Sequence, residues 1–526
     1  MQGKKQYTEK LFTSFQLSEH VPADNFYRRL KDTLNLKFVV GGTKHLYGST
    51  GKPGIDPQVF FKLMLVGYLE NITSDRRLIA HSSMRMDILY FLNYDLGEEL
   101  PWHSTVSRTR QLYGAALFEQ LFTQVFGMCV EKGMVAGHSQ AIDSAYVKAN
   151  ASMESIEKKQ PTQSIDAHLL QSENENHSEK KNNLPQRKAK ENKASEEQQT
   201  ITSTEKELNQ LNTRNEYFKA NKIEQHGKKV EKTFTSYSNQ TYYSPTDSDA
   251  RISTKHGKPR QLNYLCNMAV DTAQGVITHI QANYADKKDS RYLEDMAIKT
   301  KQQLENNNLQ LENLLADTGY SSGINYHLME QAGITAYIPT SGVYKHDRAG
   351  FVYDKEADVF TCRNNKKLVH KKTYTNPAGA LMKSYRSSRK DCRDCPFKKT
   401  CLGKKAQEKK FELSYYQEEY ERACNRQQTS HFKRMVRVRA GTVEPVFGNL
   451  INHYAMRKIN VKGIAGAHKC MLMAATAFNL KKLMKFLSKK QTTKVAELQQ
   501  EVFALIKTAL HELITSKISY PIFSIN

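Results

Sequence analysis

The sequence predicts an α/β fold: a mixed sheet flanked by helices, preceded by an all-α N-terminal domain and interrupted by insertions. Three observations predict it. Residues 1–135 carry helix-start signals and apolar residues at helical spacing. The runs "PRQLNYLCNMAVD" and "GVITHIQANYA" flank the turn "DTAQG" and read as a β-hairpin. After them, "NLLADTGYSS", "INYHLMEQAG" and "ITAYIPT" read as strand, helix and strand, a β-α-β unit.

In the helical region, Asp56 before Pro57 is a helix start, with the carboxylate capping free N–H groups and Pro tolerated at the first position. Ser74 opens a second helix, "DILYFLNYD" is a third apolar segment, and "STVSRTRQLYG" is a short helix expected to expose Arg108 and Arg110. Short helices ending in a Ser/Thr/Arg-rich one fit a helix-turn-helix-like DNA-binding domain over 1–135. The hairpin alternates Leu262, Tyr264, Cys266, Met268 and Val270 on one face. Residues 136–153, 246–345 and 427–488 are expected to make one domain around the sheet. Residues 154–245, rich in Lys, Glu, Gln, Asn and Ser, bury too little to offset chain entropy and read as a partly disordered insertion with a helix around "STEKELNQLNTRNEYFKANKIEQ". Residues 346–426 form a Cys-containing insertion, and 489–526 a helical tail.

Length and charge bound the function. A chain of 526 residues exceeds the roughly 250–300 residues of a single core. Its 78 Lys plus Arg against 54 Asp plus Glu, formal charge +24, favour a polyanionic partner, with nucleic acid first because each phosphate contact releases counterions. No apolar run is long enough for a membrane span and the N-terminus has no apolar signal core, so a cytoplasmic location is expected. In that compartment the eight Cys read as thiols or metal ligands.

Such a basic chain raises the question of its carboxylates. Asp143 follows "AI" and Asp317 follows "NLLA", each expected at the end of a strand, where α/β sheets put their chemistry. Glu444 lies beside the apolar stripe Val443, Val446, Phe447, Leu450 and Tyr454, in the expected first turn of a helix, with Pro445 next. Each alone could be a turn or helix-start residue, as Asp271 before "TAQG" is expected to be. Together, three convergent carboxylates would suit two Mg²⁺ or Mn²⁺ ions acting on a phosphodiester.

"IDSAYVKANAS", "LLADTGYSS" and "RAGTVEPVFGN", in this order behind a helical N-terminal domain, resemble the insertion-sequence transposases of bacteria in the DDE, RNase H-like class. The resemblance spans most of residues 20–490 apart from the 154–245 insertion. It implies an RNase H-like catalytic domain with Asp143, Asp317 and Glu444 as the metal-binding triad, and with it the binding of terminal inverted repeats, DNA cleavage and strand transfer by a homodimer. Related transposases carry Tyr-x2-Arg-x3-Glu-x6-Lys around the Glu. Here Arg439 precedes Glu444 by five residues, Val436 stands for the Tyr and Ile451 for the Lys. Arg439 is expected to clamp the DNA backbone, beside Arg437, and Lys469 or Lys481 to stand in for the missing Lys. A metal-dependent nuclease without strand transfer, or a decayed or domesticated transposase that only binds DNA, remain the alternatives.

Cys362, Cys392, Cys395 and Cys401, with a C-x2-C core, suit tetrahedral Zn²⁺. The segment is expected to be short of large apolar residues and to need that metal to fold. Cys129, Cys266, Cys424 and Cys470 are expected in core packing.

Overall fold

The computed structural model describes residues 15–489 apart from 49, 51–53, 162–201, 221–223, 226–227, 230–236, 255–258, 342–347, 377–378 and 404. Most of the insertion expected to be partly disordered, and the tail from 490 onward, lie outside the described residues. The chain divides into two compact units, 1–117 with 476–526, and 118–475. Among the described residues, no helix is long and apolar enough to cross a membrane.

In the first unit the helix Pro57–Leu69 is apolar on nearly every side, and so it is the buried centre. Phe60, Phe61, Leu63 and Leu65 have no exposed surface. Its start is built as expected, with the Gln58 N–H donating to Asp56 Oδ1 at 2.7 Å. Ser74 caps the helix Asp75–Ser83, and Met86–Leu92 and His103–Leu112 follow. One expectation is corrected. Arg110 is not exposed: its guanidinium forks onto Asp75, at 2.6 and 3.0 Å, because that carboxylate starts the neighbouring helix at the same height. Arg108 is exposed.

The second unit is built on a mixed sheet. Its strands are β1 (Ser139–Lys148), β2 (Gln261–Asp271), β3 (Ile277–Tyr284), β4 (Asn313–Leu315) and β5 (Thr335–Tyr337), in the order β3-β2-β1-β4-β5. A short strand, Arg251–Ser253, also pairs with β2. β1, β4 and β5 are parallel, and β2 runs antiparallel to both neighbours. The hairpin and the β-α-β unit are therefore as expected, the latter with the helix Gly323–Gln331 between its strands. β2 is buried almost throughout because it lies inside the sheet. Asp271 is the bracket that holds the sheet's lower end, accepting from Gln140 Nε2 and the Gly137 N–H at 2.8 Å each.

Asp143 is not at a strand end. β1 continues to Lys148 because β2 pairs with it to Asn263, whereas β4 stops at Leu315 beside Ala141. One edge of β1 is thus uncovered by β4 from Ile142 onward, and Asp143 lies just past that step. Directly paired residues share a face, so Ser144, Asn267 and Gln281 lie on one side and Asp143, Met268 and Ile280 on the other. Gln281 Nε2 donates to Asp295 in the helix Leu293–Glu305, which puts that helix on the Ser144 side. The helix Ser430–His453 covers the Asp143 side.

That helix starts earlier than its Pro predicted. Thr429 caps it, and Glu444 and Pro445 lie in its interior. Phe432, Met435, Val443, Val446, Phe447 and Leu450 are buried along one stripe, and their packing outweighs the hydrogen bond to the Gly441 carbonyl that Pro445 cannot make. Within the insertion, the expected helix is present as Glu205–Ala220.

The Cys-containing segment is a five-stranded antiparallel sheet of consecutive strands β6 (Phe351–Asp354), β7 (Val359–Cys362), β8 (Lys367–Thr375), β9 (Leu381–Ser387) and β10 (Lys410–Ser414). Phe360, Leu368, Tyr385, Phe411 and Leu413 make its own core, with Phe351 and Tyr353 against it. The expectation that this segment is short of large apolar residues is overturned: β6, β7, β9 and β10 supply aromatic rings and β8 supplies Leu368, and Phe351–Phe411 and Phe360–Tyr385 meet edge to face.

Candidate active site

Asp143, Asp317 and Glu444 are carried by three different elements of the second unit. Asp143 is two residues past the β1–β4 pairing and Asp317 two residues past the end of β4. Asp317 caps the turn Thr318–Tyr320, accepting from the Gly319 N–H at 2.9 Å. Glu444 sits on the helix Ser430–His453, with 62% of its side chain exposed.

Arg439 joins two of them. Nη1 donates to Asp143 Oδ2 at 2.9 Å and Nη2 to Glu444 Oε1 at 3.5 Å. The spacing 439 to 444 is a little over one helical turn, which lets one guanidinium reach both its own helix and the strand beneath. Burial pushes Asp143 up to about 6. Arg439 and the Ser144 N–H oppose that shift, while Asp317 and Asp289 add to it, so three carboxylates share one electrostatic neighbourhood.

Asp289 was not singled out in the sequence. "YADKKDSRY" offers two Asp close together, and nothing local distinguishes the second. What distinguishes it is a contact across 145 positions: Ser144 Oγ donates to Asp289 Oδ1 at 2.7 Å. Tyr320 is fully buried beside the same group, with Ser144 as the hydrogen-bond neighbour of its hydroxyl. Burial pushes that phenol well up, and Asp289, Asp143 and Asp317 push it further.

Among the described residues, no three His, Cys, Asp or Glu side chains stand close enough to hold a metal ion. At the carboxylates the reason is visible, since the Arg439 guanidinium lies between Asp143 and Glu444. The donor set still fits a hard divalent cation: the oxygens are carboxylates, Asp143 is crowded by like charge, and a side chain at Gly319 would meet Asp317 Oδ1 at 3.0 Å and Asp289 Oδ2 at 3.3 Å, so the glycine leaves a cradle between two carboxylates.

The remaining expected residues are dispersed. Arg437 is exposed on the same helix as Arg439, with Lys433 and Arg434. Lys469 is buried, with 9% exposure and its ammonium 5.6 Å from the Phe118 ring centre, because the helix that begins at 464 turns it inward; it does not present a cation to a surface ligand as expected. Cys362, Cys395 and Cys401 line one cavity of about 210 Å³ with Phe351, Phe397 and Lys409, while Cys392 Sγ lies 3.1 Å from Ser387 Oγ. All eight cysteines are free thiols. Cys129, Cys266 and Cys470 are buried as expected, whereas Cys424 is half-buried.

Two family models match the chain: a transposase domain over residues 15–112 and a transposase DDE domain over 361–484. The first covers the helical N-terminal region; the second covers Arg439, Glu444 and Cys362, Cys392, Cys395 and Cys401, and leaves Asp143 and Asp317 outside. No curated protein and no solved structure matches the chain. A transposase domain near one end and a transposase DDE domain near the other are consistent with the DDE-class insertion-sequence transposases that the three motifs resemble.

Proposed function

We propose that the chain binds the terminal inverted repeats of its own element, cleaves phosphodiester bonds there and joins the freed 3′-OH to target DNA, acting as a homodimer when two ends are brought together. What supports this reading is that Arg439 bonds both Asp143 and Glu444, with Asp317 electrostatically coupled to Asp143, on a sheet whose order β3-β2-β1-β4-β5 with β2 antiparallel suits an RNase H-like domain.

Asp143, Asp317 and Glu444 would hold two Mg²⁺ or Mn²⁺ ions. Such ions supply activation of the attacking oxygen and stabilisation of the leaving one in an in-line displacement. Arg439 holds Asp143 and Glu444 in reach of one another, and its planar fork matches a phosphate as well as a carboxylate. Lys433, Arg434 and Arg437, exposed along the first half of the same helix, offer a cationic track toward Glu444. In the first unit, Arg108 is the exposed cation of the Ser/Thr/Arg-rich helix, while Arg110 fixes that helix to Asp75. Zn²⁺ is the ion that the thiols of Cys362, Cys392, Cys395 and Cys401 would take, as a local clamp on a sheet that has its own core.

Asp143→Asn tests the reading. It removes one metal-binding oxygen and no cationic group, so cleavage of DNA carrying the element's ends should be abolished while binding to that DNA stays within about threefold of wild type. Equal loss of both, or cleavage retained, would overturn it.

A further inference from the structure

The sheet β6–β10 carries a disproportionate share of the chain's charge. Residues 351–414 hold 17 Lys plus Arg against 7 Asp plus Glu, in a chain whose whole formal charge is +24. Several of those acids are already engaged. Asp358 accepts from the Tyr353 and Tyr385 hydroxyls and pairs with Lys383, Glu408 pairs with Arg386 and Arg389, and Glu412 pairs with Lys410 and accepts from the Tyr374 hydroxyl. The lysines of β8 are not engaged. Lys367 and Lys371 are exposed and have no ion pair or side-chain hydrogen bond among the described residues, and Lys372 has only the Tyr374 ring, 4.9 Å from its ammonium.

Strand pairing explains why these lysines stand clear. β7 reaches β8 only at Lys367–Val369, whereas β9 follows β8 from Leu368 to Thr375. From His370 onward β8 therefore has a strand on one side only, although it is central in the sheet order. A register shift lies between His370 and Lys372. Beyond it Lys372 and Tyr374 stand opposite Ser384 and Met382, and before it Val369 stands opposite Arg386, so Lys367, Val369, Lys372 and Tyr374 share the face turned away from Leu368 and Tyr385 of the core. Without the shift, Lys372 would point at that core.

This arm also ends beside the carboxylates. Gly379 leaves no room for a side chain, which would run into the Arg291 guanidinium. The turn Asp289–Arg291 is in turn bonded through Asp289 to Ser144, the neighbour of Asp143.

We propose that Lys367, Lys371 and Lys372 on this arm hold the phosphate backbone of the DNA that flanks the active site, a contact independent of base sequence. The inference rests on the DNA-cleaving reading above. A polyanion is the occupant that the arm selects: β8 contains no acid, and each phosphate met by one of its lysines releases counterions. A second copy of the same face would set lysine against lysine.

The test follows binding of the full chain to duplex DNA, without divalent ions, as the salt is varied. Lys367→Gln, Lys371→Gln and Lys372→Gln together should weaken binding about tenfold or more at about 0.1 M salt and make the slope of log affinity against log salt shallower by about 2–3. Arg at the same three positions should restore both. In the wild-type chain, acetylation of these lysines, read by mass spectrometry, should slow when DNA is added; should the Gln variant self-associate through the open edge, this measurement decides. Wild-type affinity and slope in the Gln variant, or acetylation indifferent to DNA, would mean that the lysines only guard an open strand edge; the proposal is then overturned and the DNA-cleaving reading stands. If the wild-type chain binds neither the element's ends nor random-sequence duplex, both fall.

Discussion

Arg439 is bonded through one guanidinium to both Asp143, at 2.9 Å, and Glu444, at 3.5 Å. The pair with Asp143 is largely buried, with 12% and 18% of the side chains exposed, whereas Glu444 is mostly in solvent. Arg439 is therefore the countercharge of Asp143 first and of Glu444 second. It fills the space between them, which is a cation's place.

Replacing Arg439 with Gln leaves Asp143 uncompensated. Arg439 lowers the Asp143 pKa, so its loss raises the folded-state value further above about 6, while the unfolded value stays near 3.8. The charged form is then disfavoured in the folded protein, and the cost is present above that pKa and disappears below it. At pH 7.5 the variant should lose about 3–5 kcal/mol; at pH 4.5, with Asp143 protonated in both proteins, the difference should nearly vanish. Thermal melts at the two pH values check this. Equal loss at both would assign the effect to packing.

His279 gives a second pH dependence, of opposite sense. It lies on β3 against the helix Leu293–Glu305, and burial pushes its imidazole down to about 4 from 6.5. Gln281 and Asp295 pull it up; Lys299 and His468 push it down; Glu119 faces His468 at 3.0 Å. The folded state thus keeps His279 neutral where the unfolded chain takes up a proton. Its stabilising contribution is complete above pH 6.5 and is lost as pH falls toward 4, by roughly 3 kcal/mol. His279→Gln should flatten the decline in melting temperature between pH 6.5 and 4. A parallel decline in both proteins would assign it to the carboxylates.

Local chemistry made much of the fold legible. Asp56 before Pro57, Ser74 before its helix, and the hairpin around "DTAQG" are short-range signals, and the chain obeys them. Pro445 favours a helix start as a single residue, but the buried stripe from Phe432 to Leu450 holds the helix through it. The depth of Asp143 within β1 depends on where β4 stops, which is a property of pairing between distant segments. Asp289 was invisible for the same reason, since its meaning lies in Ser144, 145 residues earlier. Arg110 and Lys469 look like surface cations until their partners, Asp75 and the Phe118 ring, are in place.

The small sheet β6–β10 separates two sources of stability. Its cysteines sit at one end, three of them around a cavity, and the aromatic cluster fills the rest. If the rings hold the sheet, Phe411→Ala should cost about 3–5 kcal/mol, because Phe411 is 5% exposed and meets both Phe351 and Phe360 edge to face. Cys392→Ser, or a strong zinc chelator, should then change amide-exchange protection at the Cys end, around 392–401, and leave Tyr385 and Leu413 protected. Hydrogen exchange read by mass spectrometry distinguishes the two ends. Loss of protection across all five strands on chelation would mean that a metal, rather than the aromatic core, folds this sheet.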